Sequence, residues 1–138
     1  MIKIAALGKI RDPHIKAVFE EYVKRLKTSI ARVEIETVKD GKRLLKRLKK
    51  EDLVVVLDRE GSCLSSVELA GFIREHMLTR DILFIIGGPE GLDEDLLKRA
   101  DHRLSLSKMT FTSQMTCLIL IEQLYRAFTI IKGGSYHR

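Results

Sequence analysis

The sequence predicts an α/β fold with a mostly parallel sheet and helices on both faces. Two short runs, Leu53 to Leu57 and Ile82 to Ile86, are continuously apolar and rich in β-branched residues, as buried parallel strands are. Stretches with helical apolar spacing alternate with these strands along the chain. No internal repeat, low-complexity tract or flexible linker divides the 138 residues. That length suffices for one sizeable core and is short for two, so residues 1–138 should form a single domain.

Each element follows from local pattern. Met1 to Leu7 alternates Ile2 and Ile4 with other residues and reads as a strand. Asp12 and Pro13 supply an N-cap and a first-turn proline for a helix with Ile15, Val18, Phe19, Tyr22, Val23 and Leu26 on one stripe. Val33, Ile35 and Val38, interleaved with Glu34 and Glu36, predict a half-exposed strand, and Leu44, Leu45 and Leu48 predict a short basic helix. After the Leu53–Leu57 strand a turn is expected at Gly61. Ser65 and Glu68 then fit a capping box for a helix that places Leu69, Phe72, Ile73 and His76 on one face, where His76 is a packing residue. The Ile82–Ile86 strand runs into Gly87-Gly88-Pro89-Glu90-Gly91, a short helix from about Asp93 to Arg99, and a last strand over Arg103 to Leu106. From Thr112 to Lys132, Met115, Leu118, Ile119, Leu124, Tyr125, Phe128 and Ile131 give a long helix a broad apolar face, and Gly133 and Gly134 should stop it.

Composition narrows the chemistry. The apolar runs are far below the roughly 20 residues of a membrane span, and a cytoplasmic protein with no membrane partner is expected. Cys63 and Cys117 form no CxxC pair and the four histidines show no HExxH spacing, so neither disulfide nor metal is expected. The net charge of +6 is uneven: residues 1–50 hold 15 Lys/Arg against 6 Asp/Glu. Lys42, Arg43, Lys46, Arg47, Lys49 and Lys50 crowd one segment, a pattern that suits both a solvated helix face and a surface for phosphates.

Open α/β sheets bind ligands beyond the carboxyl ends of their strands. Three segments qualify: Leu57-Asp58, Gly87 to Gly91, and Leu106 to Phe111. The glycine loop fits neither GxGxxG nor GxxxxGK, and Glu90 would oppose a polyphosphate. A neutral adenosine bearing a sulfonium suits such backbone-lined loops better.

FIIGGPEG at Phe84 to Gly91, LSLSKMTF at Leu104 to Phe111, EQLYRAF at Glu122 to Phe128 and the terminal Tyr136-His137-Arg138 together resemble the RlmH family of SPOUT methyltransferases, over the whole chain. The resemblance implies a SPOUT-type fold with a C-terminal trefoil knot, a homodimer, and S-adenosylmethionine as cofactor. It further implies methylation of N3 of a pseudouridine in large-subunit ribosomal RNA on the assembled ribosome. Carried over by position, Leu57, Gly87, Leu106, Ser107, Lys108, Met109, Thr110 and Phe111 would hold the cofactor. The tail would complete a partner's pocket, with His137 as a base near neutral pKa and Arg138 holding a phosphate or stabilising developing negative charge. The contrasting reading of the tail is a frayed chain end.

The chain departs from the family pattern where a Pro-His pair and a following arginine are usual. Thr112, Ser113 and Cys117 stand there, and Gly133-Gly134-Ser135 replaces Gly-Glu-Pro. Two outcomes remain open: an enzyme in which Lys108, Arg126, His137 or Arg138 carries the load, and a catalytically degenerate module that binds cofactor and ribosome. An unrelated flavodoxin-like or nucleotide-binding domain shares the fold class but gives the tail no role. Cys117 invites a nucleophile reading, against which stands the usual behaviour of free cysteine as a small buried hydrophobe.

Overall fold

The computed structural model describes residues 1–30 and 32–138. Ten elements follow one another: β1 (Ile2–Ala6), α1 (Pro13–Ser29), β2 (Val33–Thr37), α2 (Gly41–Arg47), β3 (Leu53–Cys63), α3 (Ser66–His76), β4 (Ile82–Ile86), α4 (Glu94–Arg99), β5 (His102–Ser105) and α5 (Ser113–Ile131). The five strands form one parallel sheet in the order β2-β1-β4-β3-β5. All strands therefore end at the same edge of the sheet, where the three candidate loops meet.

Strand alternation decides which helices cover which face. Ile2, Ile4, Val55, Phe84 and Ile86 point to one face and pack with Leu26, Ile73, Leu120, Ile121 and Leu124 of α1, α3 and α5. Ala5, Val54, Val56, Leu83 and Ile85 point to the other, against Leu44 of α2 and Leu96 of α4. The expected two-sided coverage is present.

The helix starts follow their capping chemistry. The Asp12 carboxylate accepts from the amides of His14 and Ile15 at 2.8 and 3.1 Å, and those bonds, Ile15 first, lower its pKa. Ser65 and Glu68 make the reciprocal box, at 3.0 and 2.8 Å. Thr112 caps α5 through Met115 N–H at 3.2 Å, and Gly133, with φ of 75°, follows its last turn. On α1 the stripe is only partly buried: Leu26 is enclosed, whereas Val18 remains 46% exposed.

The main departure from expectation lies after Leu57. No turn occurs at Gly61; β3 continues to Cys63. Leu104 of β5 is paired with both Leu57 and Ser62, with the register shift between them. A strand residue takes one partner on each edge, so residues 58–61 carry the chain across β5 to its far side. Gly61 lies on the β5 backbone, where an added Cβ would stand 2.5 Å from the carbonyl carbon and oxygen of Arg103. This strap is the kind of crossing a knotted chain requires. A second, smaller difference is that β5 begins at His102 and ends at Ser105.

Candidate active site

A cavity of about 670 Å³ opens at the carboxyl ends of β3, β4 and β5, within the usual range of about 300–1,000 Å³ for small-ligand sites. Seven of the eight residues expected at the cofactor line it: Leu57, Gly87, Leu106, Ser107, Met109, Thr110 and Phe111. Lys108 is exposed and is not among the lining residues. Its long charged side chain leaves the apolar wall to its neighbours.

Local backbone makes the cavity. At Gly88 an added Cβ would fall 2.1 Å from the Leu7 carbonyl oxygen, so only glycine lets the β4–α4 loop lie against the end of β1. Residues 106–112 belong to no helix or strand, which leaves peptide groups for a ligand. The hydroxyl of Ser107 accepts the Met109 N–H at 3.0 Å, and Ser105 donates to the Ser107 carbonyl at 2.8 Å, shaping the loop from within. Thr110 Oγ1 accepts from Arg59 at 3.1 Å. Gln114, in the first turn of α5, accepts the amides of Arg11 and Asp12 at 2.8 Å each and so ties the β1–α1 loop to the same rim. No sequence motif marks Arg59 or Gln114.

Cys117 sits below this rim, 5% exposed, in the core with Leu120 and Ile121. Burial pushes its thiol up to about 11, so it stays protonated at neutral pH and lacks nucleophilic character. A Cys117→Ser variant should retain the activity of this site within about twofold, at a stability cost of about 1–2 kcal/mol from burying a hydroxyl; parallel rate and urea-melt measurements check this.

The C-terminal tail is docked, not frayed, and at a distance from the cavity. Tyr136 donates to Glu122 Oε1 at 2.9 Å, so the 3.0 Å contact with Tyr22 must have the Tyr22 hydroxyl as donor. Burial first, then the bonds to Tyr22 and Glu122, raise the Tyr136 pKa far above the ordinary value. Arg126 clamps Glu122 at 2.7 and 3.1 Å and lies 4.8 Å over the Tyr136 ring. Its third contact is to His137 Nδ1 at 3.1 Å. A guanidinium can only donate, so Nδ1 accepts and the ring proton of neutral His137 stands on Nε2. That placement occupies a lone pair a general base would use and offers an N–H donor in its stead. Arg138 is exposed beyond it. Arg126 stands thirteen residues along α5 from Ser113, about 20 Å at the helical rise. Within one chain, therefore, the tail docks on α5 between its midpoint at Glu122 and Arg126, about 14 Å or more along the helix from the cavity at its first turn.

A family profile described as "Predicted SPOUT methyltransferase" matches residues 1–137. Ribosomal RNA large subunit methyltransferase H of Acetivibrio thermocellus is 44% identical to this chain, and that of Halothermothrix orenii 43%, each comparison covering 99% of both chains. This chain belongs to the RlmH group of the SPOUT methyltransferases. Among solved structures, a probable methylase family protein from Haemophilus influenzae superposes with a TM-score of 0.62 at 12% identity, over 99% of this chain and 70% of that one. The SpoU methyltransferase AviRb from Streptomyces viridochromogenes, solved with AdoMet, gives 0.56 at 12% identity; this chain matches over 98% of its own length and spans 59% of that protein. These likenesses show the SPOUT fold. Among the described residues no helix is long and apolar enough to cross a membrane, and no cluster of His, Cys, Asp and Glu has the makings of a metal site.

Proposed function

We propose that this SPOUT protein is an S-adenosylmethionine-dependent methyltransferase that acts in the cytoplasm, as a homodimer, on N3 of a pseudouridine in large-subunit ribosomal RNA of the assembled ribosome. The observation that carries this reading is the match, over nearly the full chain, to two named large-subunit rRNA methyltransferases, with the retained loop Leu104 to Phe111 walling the cavity. The lining fits the cofactor: Leu57, Ile86 and Leu106 offer apolar walls for an adenine ring, and loops 87–91 and 106–111 offer peptide groups for its edge. Leu57, Gly87, Leu106, Ser107, Met109, Thr110 and Phe111 are the holding residues. When bound, the cofactor supplies an electrophilic methyl group.

The protein's part is positioning and charge. Two copies packing through α1 and α5 would cover Val18, Phe111 and Met115, which are 46%, 36% and 37% exposed. Such packing carries each tail toward the other copy's cavity. There the Nε2–H of His137 and the cations Arg126 and Arg138 favour the negative charge that the pyrimidine ring acquires as its imide proton passes to solvent water. His137 thus acts as donor, with Arg126 fixing its tautomer. Lys42, Arg43, Lys46, Lys49 and Lys50 are exposed around α2, and among the described residues none forms a salt bridge; Arg47 alone of this group pairs, with Glu36. They supply phosphate contacts that orient the ribosome without reading sequence.

Transfer of labelled methyl groups to ribosomes lacking the modification, with cofactor affinity measured by calorimetry on the same preparation, tests this. Label in the pseudouridine-containing loop establishes the enzyme with Ser113 and Cys117 in place. Binding without transfer identifies a degenerate binding module, and absence of both removes the proposal.

A further inference from the structure

The cavity has an uneven charge. Among the described residues that line it, Asp58 and Arg59 alone have charged side chains. They do not neutralise each other. Asp58 turns to Arg103, with a 3.6 Å contact to its guanidinium. Arg59 has no carboxylate partner among the described residues; its one hydrogen bond is to the neutral hydroxyl of Thr110. A guanidinium has five donors in a planar fork, so this contact leaves most of them free at the mouth of the cavity.

A second, independent feature gives the same sign. The first turn of the 19-residue helix α5 lines the cavity through Thr112, Ser113, Gln114 and Thr116. Thr112 takes up the amides of Met115 and Thr116, leaving those of Ser113 and Gln114 outside the helical ladder at the positive end of the dipole. A cationic fork and a helix N-terminus therefore flank one cavity whose other walls are apolar or neutral, apart from Asp58, whose charge is paired with Arg103. Such a place takes an anionic oxygen group.

We infer that Arg59 binds the carboxylate of the amino-acid end of S-adenosylmethionine and thereby orients the cofactor in the cavity. The inference rests on the cofactor reading above. The hydrogen bond to Thr110 sets the guanidinium on the loop that holds the rest of the molecule. The strap that carries Arg59 across β5 makes this a rigid mount, since Gly61 two residues later is seated on the Arg103 backbone. Arg59 is a positioning residue: it acts on an end of the cofactor remote from the methyl group that is transferred.

Calorimetry with two ligands that differ only in that carboxylate, S-adenosylmethionine and its decarboxylated analogue, tests the assignment on the full-length protein. Wild type should prefer the carboxylate-bearing ligand by about tenfold or more, the scale of one charge-assisted contact. In Arg59→Met the preference should fall to near one, with the analogue bound as in wild type; Arg59→Lys should keep part of it. An intact preference in Arg59→Met overturns the inference. Equal weakening of both ligands overturns it too, because it would show that Arg59 only braces the Thr110 loop. An unchanged preference with more ribosomes needed for half-maximal transfer would assign the guanidinium to RNA phosphate, which also overturns it. Failure of the wild type to bind S-adenosylmethionine at all would bring down the cofactor reading itself, and is distinguishable from every other result.

Discussion

Two variants that are each inactive should recover about a quarter of the wild-type methyl transfer when mixed and allowed to exchange subunits. One is truncated after Ser135 and loses the tail; the other, Leu106→Arg, places an unpaired charge in the cavity wall. Each alone should lose more than about a hundredfold in rate, because the truncation removes donors made useful only as charge develops and the substitution blocks the cofactor. The recovery follows from the length of α5. With the tail docked on the middle and later part of α5 and the cavity at its first turn, the proposed composite site takes the cavity of one copy and the tail of another. In a mixed dimer one of the two sites has both. Random assortment makes half the dimers mixed, hence the quarter. Native mass spectrometry gives the mixed fraction and labelled methyl transfer the rate; no recovery in confirmed mixed dimers would refute the composite site. The truncated chain should still bind the cofactor as the wild type does.

A comparably large effect is expected on stability from one methyl group. Gly61→Ala sets a Cβ 2.5 Å from backbone atoms of Arg103 and 2.9 Å from the amide nitrogen of Leu104. Backbone on both sides of the contact cannot swing away as a side chain would, so strap and strand must separate. The cost should be about 3 kcal/mol or more. Gly71, on α3, is the control, because nothing stands within 4 Å of the Cβ it would gain. Gly71→Ala should stabilise by about 1 kcal/mol through helix propensity alone. Urea denaturation of both variants measures the contrast, and a mild loss at Gly61 would mean that the strap is not tightly seated.

How far the sequence foretold these features depends on how local their causes are. The Ser65–Glu68 box and the Asp12–Pro13 start were legible because a cap involves residues within one turn of each other. Val54 to Val56 and Ile82 to Ile86 announced buried strands because both their faces are covered. The cavity loops were legible from their position after strands and from the family motif. Past Leu57 the pattern failed: Asp58 to Cys63 is polar and shows no alternation, since a segment crossing another strand has no face to bury. Gly61 looked like a turn for that reason. The tail cluster joins Tyr22 to Tyr136 across 114 positions, a pairing no local spacing encodes. The Arg126–His137 contact, on which the proposed donor role of His137 rests, depends on a side-chain geometry visible only once helix and tail are folded together.

The strap has a consequence for how copies of this protein can meet. A sheet normally ends in two rows of unsatisfied peptide groups, each an invitation to cross-β growth. Here Ser62 and Cys63 lie along the outer side of β5, so the chain closes that margin with its own backbone. The other margin, β2, carries Glu34 and Glu36, both exposed, whose charges repel a second identical strand laid beside them. With one rim sealed and the other guarded, sheet-to-sheet stacking into fibrils is discouraged on both sides. The proposed homodimer, packed through α1 and α5, is in contrast a finite two-fold assembly and not an open polymer.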